Sequence, residues 1–177
     1  MRTLWLRDRA LDLDRVRLLG VLNLTPDSFS DGGRYLDPER ALERAREMVA
    51  EGADILDLGA ESTRPGAAPV PVEEEKRRLL PVLEAVLSLG VPVSVDTRKP
   101  EVAEEALKLG AHLLNDVTGL RDERMVALAA RHGVAAVVMH MPVPDPATMM
   151  AHARYRDVVA EVKAFLEAQA KRALSAG

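Results

Sequence analysis

LLGVLNLTPDSFSDGG, residues 18–33, begins as an apolar run and breaks into a polar loop that ends in two glycines. Residues 16–22 are mostly apolar and read as a buried β-strand. Asn23, Thr25, Pro26, Asp27, Ser28, Ser30, Asp31, Gly32 and Gly33 follow, with only Leu24 and Phe29 interrupting the polar character. The same transition recurs downstream. Apolar runs at 54–58, 91–95, 112–114 and 134–139 each give way to polar residues. Amphipathic helices are predicted over 38–51, 72–89, 100–109, 122–132 and 155–173. Asp37-Pro38 and Lys99-Pro100 place proline at helix starts, and Gly52, Gly90, Gly110 and Gly133 supply stops.

Strands that alternate with helices predict an α/β fold with a parallel sheet. The runs are continuously apolar, so the strands are expected to be buried on both faces. TLWL (3–6) and ALDL (10–13) read as a short hairpin ahead of the first βα unit. Five units are visible. A (β/α)8 barrel of TIM type needs eight and a doubly wound sheet can close with five, and the pattern alone does not separate them.

The 177 residues suffice for one domain with a real core. Apolar residues make up 47% and charged residues 29%, the profile of a globular chain. A net charge of −4 is too mild for a nucleic acid or a membrane surface as partner, so an anion site would be local. With no cysteine there are no disulfides or thiolate metal sites. No run approaches the length of a membrane span, and the N-terminus lacks a signal-peptide pattern. The cytoplasm is the expected compartment.

In parallel α/β folds ligands bind at the C-terminal strand ends. Those positions hold Asn23, then the stretch GAESTRPGA with Glu61, Thr63, Arg64 and Pro65, then Asp96, Asn115 with Asp116, and His140. Arg64 offers a planar donor fork suited to phosphate. Asn23 offers a neutral oxygen that Mg²⁺ accepts when phosphate fills its other positions. Asp96 and Asn115 together can read the polar edge of a heterocycle, the carboxylate accepting and the amide both donating and accepting.

LNLTPDSFSDGG, ESTRPGA, SVDTRKPEVAEEAL, LNDVTG and VVMHM occur in this order at these strand ends, and ARYRDVVAEVKAFLEAQ follows. The chain resembles dihydropteroate synthase along essentially its whole length. That resemblance implies a TIM-type (β/α)8 barrel, here with five units in a single pterin-binding domain over 1–177. It implies a transferase of folate biosynthesis that joins 7,8-dihydropterin-6-ylmethyl diphosphate to p-aminobenzoate. By the same resemblance Asn23 binds Mg²⁺ and diphosphate. Asp27, Ser28 and Phe29 lie in a first mobile loop, and Thr63, Arg64 and Pro65 in a second. Asp96, Asn115 and Met139 contact the pterin, and Asp96 and Arg64 are the catalytic pair. Sulfonamide-type analogues of p-aminobenzoate and a homodimer are also implied.

The family's barrel continues through three further strands, which carry a second pterin-binding aspartate, a lysine, an Arg-x-His pair and the dimer helices. The 177 residues alone are therefore expected to be inactive or to be part of a longer protein. A non-catalytic pterin or diphosphate binder and a pterin-dependent methyltransferase are the alternatives.

Plainer roles also exist for these residues. Asn23 can cap a turn, Arg64 can be a solvated loop residue, Phe29 can anchor its loop, and Asp96 and Asn115 can be helix N-caps. Asp54 and Asp57 are expected to make local hydrogen bonds. His112, His132, His140 and His152 are expected to be structural, and the charge run 73–78 to be a solvated helix face.

Overall fold

The structure, a computed structural model, describes residues 2–25, 37–64 and 66–177. Strands β1 (Thr3–Leu6) and β2 (Arg9–Asp12) form the expected antiparallel hairpin, with Leu6 paired to Arg9 across the turn. Five parallel strands follow: β3 (Leu19–Asn23), β4 (Ile55–Gly59), β5 (Val93–Asp96), β6 (Leu113–Asp116) and β7 (Ala135–Val138). They lie side by side in sequence order. Helices α1 (Pro38–Ala50), α2 (Val72–Leu87), α3 (Pro100–Leu109) and α4 (Glu123–His132) connect them. A 3₁₀ turn (Pro146–Thr148) and the one-turn α5 (Met149–His152) then lead to α6 (Val158–Ala176). Five consecutive parallel βα units in unbroken order are the arrangement of a TIM-type barrel rather than of a doubly wound sheet, whose strand order reverses.

The helix ends follow from local chemistry. Asp37, Asp122 and Asp157 each accept a backbone N–H at the start of α1, α4 and α6. Gly110 and Gly133 end α3 and α4 in the left-handed conformation that a side chain disfavours. The last helix starts three residues later than its periodicity predicts, because Asp157 supplies the cap.

Residues paired across adjacent parallel strands project to the same face. One set, including Leu22, Leu56, Leu58, Val93, Val95 and Leu114, packs under the helices and is fully or almost fully buried. The other set forms an inner face. There the expectation of burial on both sides holds for the central strand β4, all five residues of which are buried. It fails at the two outer strands, where Val21 is 52% exposed and Val137 38%. Both lie on strands with a neighbour on one side only among the described residues.

The hairpin packs against the N-terminal end of the inner face, with Leu6 buried against Ile55 and Leu113. It is tied down by Arg7 Nη1, which donates to the Leu107 carbonyl at 2.8 Å, and by Arg9 Nη1, which donates to that of Gly90. At the same end Asp54 accepts the Leu18 N–H and pairs with Arg15 and Arg17. The backbone donor first and the two guanidinium groups after it hold the Asp54 carboxyl down at about 2. Its role is structural, but the partners lie 36 to 39 residues away in sequence, so the bonds are not the local ones expected.

Candidate active site

The inner face turns polar at the C-terminal strand ends. Backbone register aligns Asn23 with Gly59, Gly59 with Asp96, and Asp96 with Asn115. These four positions form one row across β3 to β6, on one face and at one height. At Gly59 the missing side chain leaves room beside Asp96: a Cβ there would stand 3.4 Å from the Asp96 Cβ.

Asn23, Asp96, Thr63 and Arg64 all line a single cleft of about 510 Å³, together with Thr25, Glu61, Ser62 and Arg78. The cleft thus collects the neutral amide, the carboxylate and the arginine expected at separate strand ends. Asn115 stands beside Asp96 in the same row. Met139, just past β7, is 40% exposed. Asp27, Ser28, Phe29 and Pro65 lie outside the described residues.

The N-cap reading of Asp96 and Asn115 fails, since Lys99 occupies the N-cap of α3 and Asp122 that of α4. Asp96 is instead held in an unfavourable setting for its charge. Burial first, and then the carboxylates of Asp57, Asp116, Glu75 and Glu61, push its pKa up to about 7. Its neighbour Asn115 donates from Nδ2 to Asp57 Oδ2 at 3.0 Å. Asp57 is therefore part of the inner face, two residues below Gly59, and not merely a hydrogen-bonder within its own strand. Asp116 projects to the opposite face. It accepts from the Thr118 N–H at 2.8 Å, the Thr118 hydroxyl at 2.7 Å and the Leu120 N–H at 3.1 Å. Those bonds support a turn in which Leu120 has a φ of +59°, so Asp116 is structural.

The loop that carries Thr63 and Arg64 is anchored by ion pairs. Glu61 accepts from Val70 N–H at 2.7 Å, from Arg98 Nε at 2.9 Å and from Lys99 Nζ at 2.5 Å. Lys99 also binds Glu75, which in turn accepts from the Thr97 hydroxyl at 2.6 Å. Burial disfavours the charged Glu61, but the bonds from Lys99 and Arg98 outweigh it and hold its pKa below the usual range. Glu75 corrects the reading of 73–78 as a solvated face, because it is 1% exposed. Arg78 departs from that reading as well: it lines the cleft and donates to the Ala60 carbonyl at 3.4 Å. The signal was present, since Glu75 falls on the same helical stripe as the buried Leu79, Val82 and Val86.

The histidines are structural where their contacts are described. His112 Nδ1 accepts the Val93 N–H at 3.2 Å. His140 packs edge-on against Phe165 at 5.2 Å and beside Tyr155. Among the described residues no three His, Cys, Asp or Glu side chains converge as a metal cage.

Residues 19–177 match the family of pterin binding enzymes. The chain is similar to dihydropteroate synthase from Thermus thermophilus, solved in complex with 4-aminobenzoate. The two are 90% identical, over 99% of this chain and 63% of that one, with a TM-score of 0.88. Dihydropteroate synthase of Escherichia coli K12 is 45% identical over 98% of this chain and 62% of its own length. That of Mycobacterium leprae is 47% identical over 94% and 59% respectively. The chain thus spans about three-fifths of the length of these relatives. With a family match that runs from β3 to the last residue, the chain belongs to the pterin-binding enzyme family.

Proposed function

We propose that this rim is part of a dihydropteroate synthase site. The reaction joins the methylene carbon of 7,8-dihydropterin-6-ylmethyl diphosphate to the amine of p-aminobenzoate. The carbon–oxygen bond to diphosphate breaks, a carbon–nitrogen bond forms, and the amine loses one proton. The observation that carries this reading is the row Asn23–Gly59–Asp96–Asn115, two of whose members, Asn23 and Asp96, line the same cleft as Arg64. It sets an acceptor and an amide for a heterocycle beside an amide oxygen and a guanidinium for a diphosphate.

The chemistry asks for no enzyme nucleophile. Departure of diphosphate leaves a cation conjugated into the electron-rich pterin ring. Arg64 would stabilise the leaving anion. Asp96, when ionised, would face the cation, and with a pKa of about 7 it holds that charge in a good fraction of molecules at neutral pH. The arylamine then attacks a carbon that is already electrophilic. Mg²⁺ fits the donor set: the Asn23 side chain is exposed at the cleft, and this ion binds through one or two protein oxygens with phosphate and water completing its shell. Asn23 would hold it, and when bound it would neutralise charge on the diphosphate. The soluble, charged substrates fit a cytoplasmic enzyme, and no helix among the described residues is long and apolar enough to cross a membrane. By family likeness we also propose a homodimer, and competition by sulfonamide-type analogues of p-aminobenzoate.

The test is calorimetry of the chain with the dihydropterin diphosphate in Mg²⁺, followed by addition of p-aminobenzoate and detection of dihydropteroate. Uptake of the pterin is expected, and no uptake would sink the reading. Uptake with no product would match the expectation that these 177 residues alone are inactive, and product would show that they suffice.

A further inference from the structure

Asp57 sits in the middle of β4, between Leu56 and Leu58, and is only 3% exposed. One carboxylate oxygen, Oδ2, accepts from Asn115 Nδ2 at 3.0 Å. The other, Oδ1, is buried with no hydrogen-bond partner among the described residues. A half-satisfied buried carboxylate is a poor choice for stability, because the unpaired oxygen loses its hydration and gains nothing in return. An apolar residue would suit the strand better. The arrangement calls for a role outside stability.

The bond to Asn115 supplies one. A carboxylate only accepts, so the group facing it must be the NH₂ end of the amide and not the carbonyl end. Asp57 thereby removes the two-fold ambiguity that every asparagine side chain carries. Resting on the pterin reading above, we propose that Asp57 is a positioning residue: it locks the Asn115 amide with Nδ2 turned to β4, leaving Oδ1 as the acceptor offered to the heterocycle. Asn115 alone could present either a donor or an acceptor. With Asp57 beneath it, the row reads as a fixed acceptor beside Asp96, a pattern that favours a ring edge carrying N–H groups. The negative charge of Asp57 also lies close enough to Asp96 to raise its pKa, the largest such contribution after burial and ahead of Asp116, Glu75 and Glu61.

The chain is suited to a direct test, because its only asparagines are Asn23 and Asn115 and its only glutamine is Gln169. The side-chain amide region of a ¹⁵N spectrum therefore holds three pairs of signals. In the unsubstituted chain, one Nδ2 proton of Asn115 is expected to exchange with solvent at least about tenfold more slowly than those of Asn23. Asp57→Asn, which keeps the shape, is expected to shift or double the Asn115 pair. It should weaken binding of plain pterin about tenfold and leave binding of inorganic diphosphate with Mg²⁺ unchanged. In an Asn115→Ala background the same substitution should cost no further pterin affinity.

Equal exchange at Asn23 and Asn115 would overturn the proposal, and needs no variant to be seen. So would an unshifted Asn115 pair in Asp57→Asn, or a full further loss in the Asn115→Ala background, which would mean that Asp57 acts independently. If the unsubstituted chain binds no pterin, the functional reading fails, while the exchange and shift measurements still decide the orientation of Asn115.

Discussion

The two faces of the parallel sheet use alternate residues of the same strands and are held in opposite ways. On the helix side, Leu22, Leu56, Leu58, Val93, Val95 and Leu114 are sealed from water and packed against α1 to α4. On the inner side, the corresponding positions are Asn23, Asp57, Gly59, Asp96 and Asn115. The first set is bound by non-directional burial, which tolerates any apolar group of the right size. The second holds a directed hydrogen bond from Asn115 to Asp57 and, in Asp57 and Asp96, carboxylates that repel one another, an arrangement that tolerates very little. A strand of five residues such as β4 thus carries the fold and the candidate chemistry at once, with a period of two separating them.

The largest effect expected from breaking this division is on the helix side. Leu58→Ala removes a fully buried side chain and should cost about 2–5 kcal/mol in denaturant unfolding. A loss under about 1 kcal/mol would mean that the two faces are not so different.

Asp96→Asn should act in the opposite direction and depend on pH. The Asp96 carboxyl titrates at about 7 in the folded chain, against an ordinary value of 3.8. Between those values the folded state binds the proton more tightly than the unfolded state, so stability falls as pH rises through the window. The asparagine variant cannot ionise. It should match the unsubstituted chain near about pH 4 and exceed it by on the order of 1–3 kcal/mol at about pH 8. Thermal melts at the two pH values check this, and an equal difference at both would remove the charge argument.

Arg64→Ala should leave melting unchanged, since the residue is exposed. It should weaken binding of the dihydropterin diphosphate about tenfold while sparing the pterin without diphosphate. A loss shared by both ligands would place Arg64 on the wrong part of the substrate. Asn23→Ala should have the smallest effect on the fold, within about 0.5 kcal/mol. Its signature would be loss of the Mg²⁺ dependence of diphosphate binding, read by titration with and without the ion.

Much of this was legible beforehand. The recurring passage from apolar run to polar end located every strand of the sheet, and Asn23, Thr63, Arg64 and Asp96 do line one cleft. What the pattern could not supply was the relation between strands. Asp57 reads as local because its partner Asn115 is 58 residues away and becomes adjacent only through two ladders of strand pairing. Glu75 reads as part of a solvated face for the same reason, since its bond to Lys99 joins two helix starts 24 residues apart. Only the position of Glu75 on an apolar stripe hinted otherwise. Asn115 and Asp116 illustrate the remaining limit. They are neighbours of similar chemistry, and only the alternation along the paired strand decides which one projects to the inner face.

Gly59 keeps the row open beside Asp96 by one absent methyl. An alanine there would meet Asp96 at ordinary contact distance, with nothing forced apart and no backbone obstacle among its described contacts. Folding assays would pass such a variant. The methyl would nonetheless stand in the gap in the row between Asn23 and Asp96, against the Asp96 carboxyl. The change would therefore fall on the packing around the Asp96 carboxyl, which a survey of variants by expression or melting alone would score as neutral.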